Sequence, residues 1–388
     1  MSARSTVADR IRVTHVVFDL HGGGMESLVA AMAKRYDGTA VVLSVITLSG
    51  RVGRVGSAMR PLVDQFWVAR QLPGFSMLAP IGLARRIRAT KPDVVHLHSG
   101  AWYKGSLAAR MAGVPRVVYT EHGREHDDPA ILRWLDRQAG RRTDVVVAVS
   151  DRLASYLGSR VGVDPGRIRI IENGVDTERF SPGQAPLALR ERLGIPSEAL
   201  VIGGVGRLEK VKAYERLIEV AARLRKSPEV PGPVYLVICG DGSQRSALRE
   251  EARRLGVADI VRLPGWSDTP IEFYRLLDLF AITSLSEGAS VSLMEAMACG
   301  IAPVVMDVGA NAEILGPELG AQVVPAGDID GFTRAVADTL RSEVRAAAAR
   351  RVVRQRAQGR YSLDRLVKEY EGLYRRGEPA AIAPAPVA

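Results

Sequence analysis

The chain reads as an α/β protein made of two doubly wound parallel-sheet domains, and three observations predict this. Short runs of Val, Ile and Leu recur along the 388 residues with helical stretches between them. Near-continuous apolar strands alternating with helices mark parallel sheets covered on both faces. The rhythm stops at DTERFSPGQAP, residues 176–186, and then restarts. The length is too great for one ordinary core and suits two.

In order, the pattern predicts strands at residues 12–20, 39–48, 64–69, 93–99, 116–123, 144–150 and 168–175. MESLVAAMAKRY and LARRIRA, between some of them, have helical periodicity. After the break, strands are predicted at 201–208, 234–242, 259–266, 279–284, 302–309 and 321–327. Doubly wound sheets bind ligands beyond the carboxyl ends of their strands. Those ends carry Gly22–Gly24, His96 and His98, His122–Gly123, Ser150, Gly206–Arg207, Gly240–Gly242 and Glu287–Ser290. A cleft between two facing sheets is the natural expectation.

Composition excludes some classes and leaves others open. With 47% hydrophobic and 25% charged residues the chain is globular. No apolar run approaches the ~18 residues of a membrane span, and MSARSTVADRIRV lacks the apolar stretch of a signal peptide. Cys239 and Cys299 stand alone in core segments with no metal or redox spacing, which fits a reduced, cytoplasmic setting. A net charge of +10 is compatible with anionic small molecules, a membrane surface or nucleic acid, and chooses none.

Three segments carry candidate chemistry. In SEGASVSLMEAMACG, residues 286–300, a helix beginning near Ser290 or Val291 offers backbone N–H groups to an anion, with small residues allowing close approach. Glu295, one turn in, suits ribose hydroxyls, and Glu287 lies in the loop before the helix. The same segment also reads as an ordinary helix start with favourable acids. In GRLEKVK, Arg207 after a strand and Lys212 five residues on can clamp a diphosphate. They could equally be scattered surface bases. HGGGMES, residues 21–27, permits backbone approach to a phosphate, though a glycine turn alone is weak evidence.

Taken together, GRL…K, GDG (240–242), the Glu287/Glu295 pair running into EAMACG, and PVVMDVGANAE (303–313) resemble glycosyltransferase family 4 in order and spacing. GGGMESLV, PDVVHLH (92–98) and ENGVDTERFSP (172–182) resemble that family's first loop, fourth-strand motif and interdomain linker, and RYSLDRLVKEYEGLY (360–374) its closing helices. The resemblance implies the GT-B fold, two Rossmann-like domains facing across a cleft. It implies an acceptor-binding domain at 1–180 completed by a helix near 360–376, a nucleotide-sugar domain at 185–358, and a disordered tail at 377–388. It implies a retaining, metal-independent transferase with a nucleotide-diphosphate sugar as donor and no further cofactor.

Position by position, the resemblance gives the donor diphosphate to Arg207 and Lys212, beside Gly206. It gives phosphate and sugar to backbone groups at Ser290, Val291 and Ser292, ribose to Glu295, and sugar hydroxyls to Glu287. Gly23 and Gly24 approach the diphosphate, His122 lies near the reaction centre, and the base sits near Arg262, Leu263 and Gly265. Ala289-Ser290 stands where the family often has Phe-Gly. Lys210 competes with Lys212 for the phosphate role. Implied acceptors are polysaccharide or lipid-linked.

The sequence also bears on other readings. His15, His21, His96, His98, His122 and His126 all precede residue 127. His96 and His98 share one strand face and His122/His126 could be helical neighbours, so a metal site is conceivable. Asp328-x-Asp330 reads as a helix N-cap. A nicotinamide dehydrogenase needs a third glycine where Arg245 stands. A sugar-nucleotide epimerase of the same fold, or a non-catalytic sugar-nucleotide-binding protein, are the remaining alternatives. Arg341, Arg345, Arg350, Arg351, Arg354, Arg356 and Arg360 read as a solvated helix face, not a nucleic-acid site. Basic and apolar residues interleaved over 56–91 read either as buried helices with charged outer faces or as a region that docks peripherally on an anionic membrane or a lipid acceptor.

Overall fold

The structure is a computed structural model describing residues 10–36, 39–69, 79–124 and 128–375. The chain divides into two compact units, Met1–Asn173 with Leu363–Ala388, and Gly174–Ser362. The first holds β1 (Ile11–Val17), α1 (Gly24–Tyr36), β2 (Val41–Thr47), α2 (Gly53–Met59), β3 (Gln65–Val68), α3 (Ile81–Ala89), β4 (Val94–His98), α4 (Trp102–Met111), β5 (Arg116–Glu121), α5 (Ala130–Arg141), β6 (Val145–Ala148), α6 (Asp151–Tyr156) and β7 (Ile168–Ile170). The second holds α7 (Leu187–Arg192), β8 (Leu200–Val205), α8 (Tyr214–Arg225), β9 (Val234–Cys239), α9 (Arg245–Arg254), β10 (Val261–Gly265), α10 (Pro270–Leu276), β11 (Leu279–Ile282), α11 (Val291–Ala298), β12 (Ala302–Met306), α12 (Asn311–Leu315), β13 (Val323–Val324), α13 (Ile329–Arg341) and α14 (Glu343–Arg360). A last helix, α15 (Leu363–Arg375), belongs to the first unit.

Both sheets are wholly parallel. Their orders are β3-β2-β1-β4-β5-β6-β7 and β10-β9-β8-β11-β12-β13. Each strand predicted from the sequence is present, and the second sheet shows why several end early. The predicted strand at 201–208 stops at Val205 and that at 234–242 stops at Cys239, because the glycines that follow leave the ladder. Central strands are buried on both faces, as in β4 (Val94–His98), whose five residues are all buried. That two-sided burial is the source of the continuous apolar runs.

Each unit has its own core. In the second, Ile202, Leu217, Leu236, Leu279, Val304 and Phe332 are fully buried together. In the first, α15 buries Leu363, Leu366, Val367, Tyr370 and Tyr374 among Val13, Val17, Met32 and Val118. The spacing of that stripe marks one helix face. Asp328 caps α13 by accepting from the Gly331 amide at 2.8 Å, as its position predicted.

The arginine run needs a correction. Arg354 donates to the carbonyls of Thr177 (3.2 Å), Phe180 (3.0 Å) and Ala298 (2.5 Å), and Arg356 to those of Ile314 (2.7 Å) and Glu313 (3.0 Å). These two side chains lock α14 onto the body of the second unit, so they are not a solvated face. The predicted tail at 377–388 lies outside the described residues.

Candidate active site

In the second unit the strand order reverses between β8 and β11. In doubly wound sheets, ligands bind beyond the carboxyl ends of the strands at such a reversal. The loop after β8 carries Gly206 and Arg207, forms a short 3₁₀ turn at Lys210–Lys212, and enters α8 through Ala213 in the left-handed region at φ 46°. The loop after β11 ties to it twice. Leu285 N–H donates to Val211 O (2.8 Å), and Thr283 Oγ1 donates to Ala213 O (3.1 Å).

This stitching places Lys212 Nζ 2.7 and 2.9 Å from the two carboxylate oxygens of Glu287. Ser284 Oγ donates to Oε1 of the same carboxylate at 2.6 Å. The side chains keep only 20% and 8% of their surface, so the charges meet in a poorly solvated spot where their attraction is strong. Lys210 is exposed. Of the two lysines, Lys212 is the one brought to Glu287.

The Glu287 loop is shaped by a neighbour. Gly309, at φ +58°, lies so close that a Cβ on it would sit 2.0 Å from Glu287 O and 2.8 Å from Gly288 O. Ala310 N–H donates to Gly288 O at 3.0 Å. Only glycine permits this approach. From the loop the chain enters α11, whose cap is buried Ser290, its Oγ accepting from Leu293 N–H at 3.4 Å. Amides of Val291 and Ser292, in the first turn, have no intrahelical acceptor by the nature of a helix start, and the helix dipole favours an anion beside them.

Glu295 lies one turn further. Its Oε2 accepts from Tyr274 OH at 2.6 Å. The residue keeps some surface, yet its carboxylate is enclosed by protein. Burial raises its pKa to about 7, against the opposing effects of the Tyr274 hydrogen bond and of Arg179.

Arg207 is exposed. Gly206 donates its N–H to Cys239 O at 3.0 Å, and a Cβ on Gly240 would fall 1.8 Å from Gly206 O, so the loops after β8 and β9 pack backbone to backbone. At the expected base position the side chains serve the fold. Arg262 donates to Leu193 O (2.5 Å), Asp259 O (2.8 Å) and Gly194 O (3.3 Å) and stands over the Tyr235 ring, while Leu263 packs on the core. Both side chains are held by the fold, and Leu263 O accepts from Arg245 Nη2–H at 2.7 Å.

In the first unit, Gly23 lies in the turn between β1 and α1, and Gly24 opens α1. His122 follows β5 directly, and residues 122–124 are not helical, so the helical pairing conceived for His122 and His126 does not hold on the His122 side. His126 lies outside the described residues. His122 Nε2 meets His98 Nδ1 at 2.9 Å, and His98 Nε2 meets His15 Nδ1 at 3.0 Å. His15, His96 and His98 have ring nitrogens within 4.8 Å of one another, a grouping that could suit a metal. These nitrogens bond to each other, to His122, to Tyr374 and to Thr120.

Sequence reasoning did not find Tyr274, Ser284 or Tyr374 as partners of the site residues. Gly309 falls within PVVMDVGANAE, where nothing local marks its contact with the Glu287 loop. Tyr274 and Tyr374 sit on buried helix faces, where a core aromatic and a hydrogen-bonding aromatic look alike.

Residues 187–360 match the family described as Glycosyl transferases group 1, and residues 22–179 match Glycosyltransferase Family 4. A D-inositol 3-phosphate glycosyltransferase of Salinispora tropica is 32% identical over 341 residues, 80% of this chain and 70% of that protein. The Escherichia coli UDP-Gal:alpha-D-GlcNAc-diphosphoundecaprenol alpha-1,3-galactosyltransferase is 28% identical over 269 residues, 67% of this chain and 69% of its own length. Among solved structures, Anabaena HepE in complex with UDP superposes with a TM-score of 0.80 at 19% identity, covering 94% of this chain and 99% of that one.

Proposed function

The chain belongs to glycosyltransferase family 4 and is a glycosyltransferase of the hexosyl-transferring kind with the GT-B fold, and we propose that it transfers a sugar, with retention, from a nucleoside diphosphate donor to a hydroxyl acceptor. The observation that carries the reading is the Lys212–Glu287 pair, poised at the start of α11. The donor diphosphate docks on Lys212, Arg207 and the first-turn amides of α11, taking up part of the lysine charge that Glu287 holds in its absence. Glu287, so released on one side, accepts from sugar hydroxyls. Glu295 accepts from the ribose, and Gly23, Gly24 and Gly206 let backbone approach the phosphates. Backbone at 262–265 receives the base. As the glycosidic bond breaks, charge grows on the leaving diphosphate, and fixed cations there lower the barrier by several kcal/mol. The acceptor attacks from the face the diphosphate leaves, and a leaving phosphate oxygen takes its proton. On this reading fixed protein charge serves the leaving group, and neither a metal nor a further cofactor is required.

UDP is the first donor nucleotide to test, since the galactosyltransferase relative is named for UDP-Gal and HepE is solved with UDP-glucose. That relative's diphosphoundecaprenol acceptor makes a lipid-linked acceptor, and with it cytoplasmic polysaccharide or glycolipid synthesis, the leading candidate. Among the described residues no helix is long and apolar enough to cross a membrane. Peripheral contact with an anionic membrane has support on the first unit. Arg60 and Arg86 stand over Phe66 and Trp67, Arg85 and Arg88 are exposed, and α5 exposes Ile131, Leu132 and Trp134. Residues Arg70, Leu72, Phe75, Met77 and Leu78 of the expected patch lie outside the described residues. Vesicle sedimentation tests it. Binding to anionic liposomes should weaken with salt and with Arg85/Arg86/Arg88→Ala.

The deciding experiment is a panel of nucleotide sugars with nucleoside diphosphate release as readout, with and without lipid-linked acceptors. Acceptor-dependent release is expected. Epimerised donor with no release would mean an epimerase, and donor binding with neither product would mean a binding protein.

A further inference from the structure

Behind His122 runs a buried hydrogen-bond chain through the first unit. His98 links His122 to His15. His15 Nε2 lies 3.2 Å from Tyr374 OH, and Tyr374 OH lies 2.7 Å from His96 Nδ1. His96 Nε2 meets Thr120 Oγ1 at 2.7 Å, and Thr120 Oγ1 meets Tyr370 OH at 2.9 Å. His15, His96 and His98 are fully buried, on adjacent strands β1 and β4, and both tyrosines come from α15.

Burial keeps all four imidazoles neutral at pH 7, with His15 lowered to about 3, His122 to about 4, and His96 and His98 well below their ordinary value. A neutral imidazole has one donor and one acceptor nitrogen. Each ring in the series therefore dictates the next, and the hydroxyl of Tyr374 has one proton with which to set the direction. The 2.7 Å contact to His96 has the length of an O–H donor bond, while the 3.2 Å contact to His15 suits an N–H donating to the phenol oxygen. His15 then donates from Nε2 and accepts at Nδ1, His98 donates from Nε2 and accepts at Nδ1, and His122 donates from Nε2. Donation by Tyr374 to its other neighbour, Tyr36, would leave this direction unchanged.

We infer that Tyr374, His15 and His98 are positioning residues which hold His122 as the Nε2–H tautomer and leave its Nδ1 lone pair to accept from a substrate hydroxyl. In the structure His122 Nδ1 is buried and makes no hydrogen bond of good geometry; Asn173, whose side chain is placed to hydrogen-bond the ring and raise its pKa, would take a proton from Nδ1 only in the tautomer that the chain from Tyr374 excludes. An acceptor atom in that state is what a hydroxyl donor would complete. The α15 helix, which meets His15 across 359 positions of sequence, thereby reaches His122 through the Tyr374 hydroxyl. The inference rests on the reading of His122 as a group beside the reacting sugar.

The test is ¹⁵N-histidine NMR on the full chain, with His122→Gln identifying the His122 signals. Expected is a single neutral tautomer protonated on Nε2. Tyr374→Phe keeps the ring and removes the hydroxyl. It should mix the His122 tautomers and lower kcat about tenfold with little change in donor KM, a loss that vanishes in the His122→Gln background. Tyr370→Phe, on the far branch, should leave the His122 tautomer as it is. A proton on His122 Nδ1, a tautomer indifferent to Tyr374→Phe, or a chelator-sensitive shift of His15, His96 and His98 together would overturn the inference. The wild-type spectrum decides the tautomer even if Tyr374→Phe fails to fold. If the tautomer is as stated but His122→Gln transfers sugar at the wild-type rate, the placement of His122 beside the sugar is what fails.

Discussion

Lys212 and Glu287 neutralise each other at the strand ends, so neither can be changed alone without leaving the other's charge unpaired in a poorly solvated site. Lys212→Ala should cost turnover about 10²–10³-fold, because it removes charge from the leaving group. It should also cost about 2 kcal/mol of stability, because Glu287 stays buried with Ser284 alone. Lys210→Ala should do neither. Nucleoside diphosphate release and thermal melts of the two variants decide it, and an inactive Lys210→Ala beside a fully active Lys212→Ala would reverse the assignment. Glu295 makes a prediction in pH. Its folded pKa, about 7, lies above the ordinary 4.5, so the folded state holds a proton that the unfolded state has released between those values. Stability from this group is fully present below pH 4.5 and is lost as pH rises through 7. Ribose recognition runs the other way, since two carboxylate oxygens accept better than a protonated carboxyl. Nucleoside diphosphate affinity should therefore rise as pH crosses 7, and Glu295→Gln should flatten the rise while Glu287→Gln leaves it. A flat profile in the wild type would remove Glu295 from the ribose.

At the scale of elements, the start of α11 is defined from outside by the loop after β12, and Gly309 is the contact. Gly309→Ala would force a Cβ into Glu287 O at a φ that disfavours side chains. The 286–290 loop must move, and donor affinity should fall at least about tenfold with a stability loss of about 1–3 kcal/mol. Calorimetric titration with nucleoside diphosphate checks this, and unchanged affinity would mean the loop is not held there. The same elements show what was legible in the sequence. Strands announced themselves because parallel strands buried on both faces are written as Val and Ile runs, and glycines marked where β8 and β9 left the sheet. Asp328 was legible as a cap because capping is local, whereas for α11 only a start near Ser290 or Val291 could be read and the Ser290 cap came from the structure. Tyr274 reaches Glu295 across 21 positions and Tyr374 reaches His15 across 359, and such contacts leave no periodic trace. Arg354 and Arg356 were misread for the same reason. On a helix with arginine at many positions, only the fold decides which guanidinium finds carbonyls and which finds water.

At the scale of the whole molecule, the two units divide the work unevenly. Lys212, Ser284, Glu287, Gly309, Ser290, Tyr274 and Glu295 all lie within Gly174–Ser362. The core of that unit draws on its own residues, from Ile202 to Ala337. The first unit has a different dependence, because α15 supplies five buried side chains to its core from the far end of the chain. Removing residues 363–388 should then leave the first unit unable to fold, since losing Leu363, Leu366, Val367, Tyr370 and Tyr374 together far exceeds the ~5–15 kcal/mol that holds a domain. A fragment of residues 174–362 should melt cooperatively and still bind nucleoside diphosphate, more weakly by whatever Gly23 and Gly24 contribute. It should transfer no sugar, since His122 is absent. Binding by this fragment should show the same rise in affinity across pH 7 as the full chain, because Glu295 and Tyr274 travel with it. Calorimetry on the fragment gives the answer. A fragment that folds yet shows no affinity for nucleoside diphosphate would place essential donor contacts in the first unit, and the assignment of the diphosphate to Lys212, Arg207 and α11 would have to be abandoned.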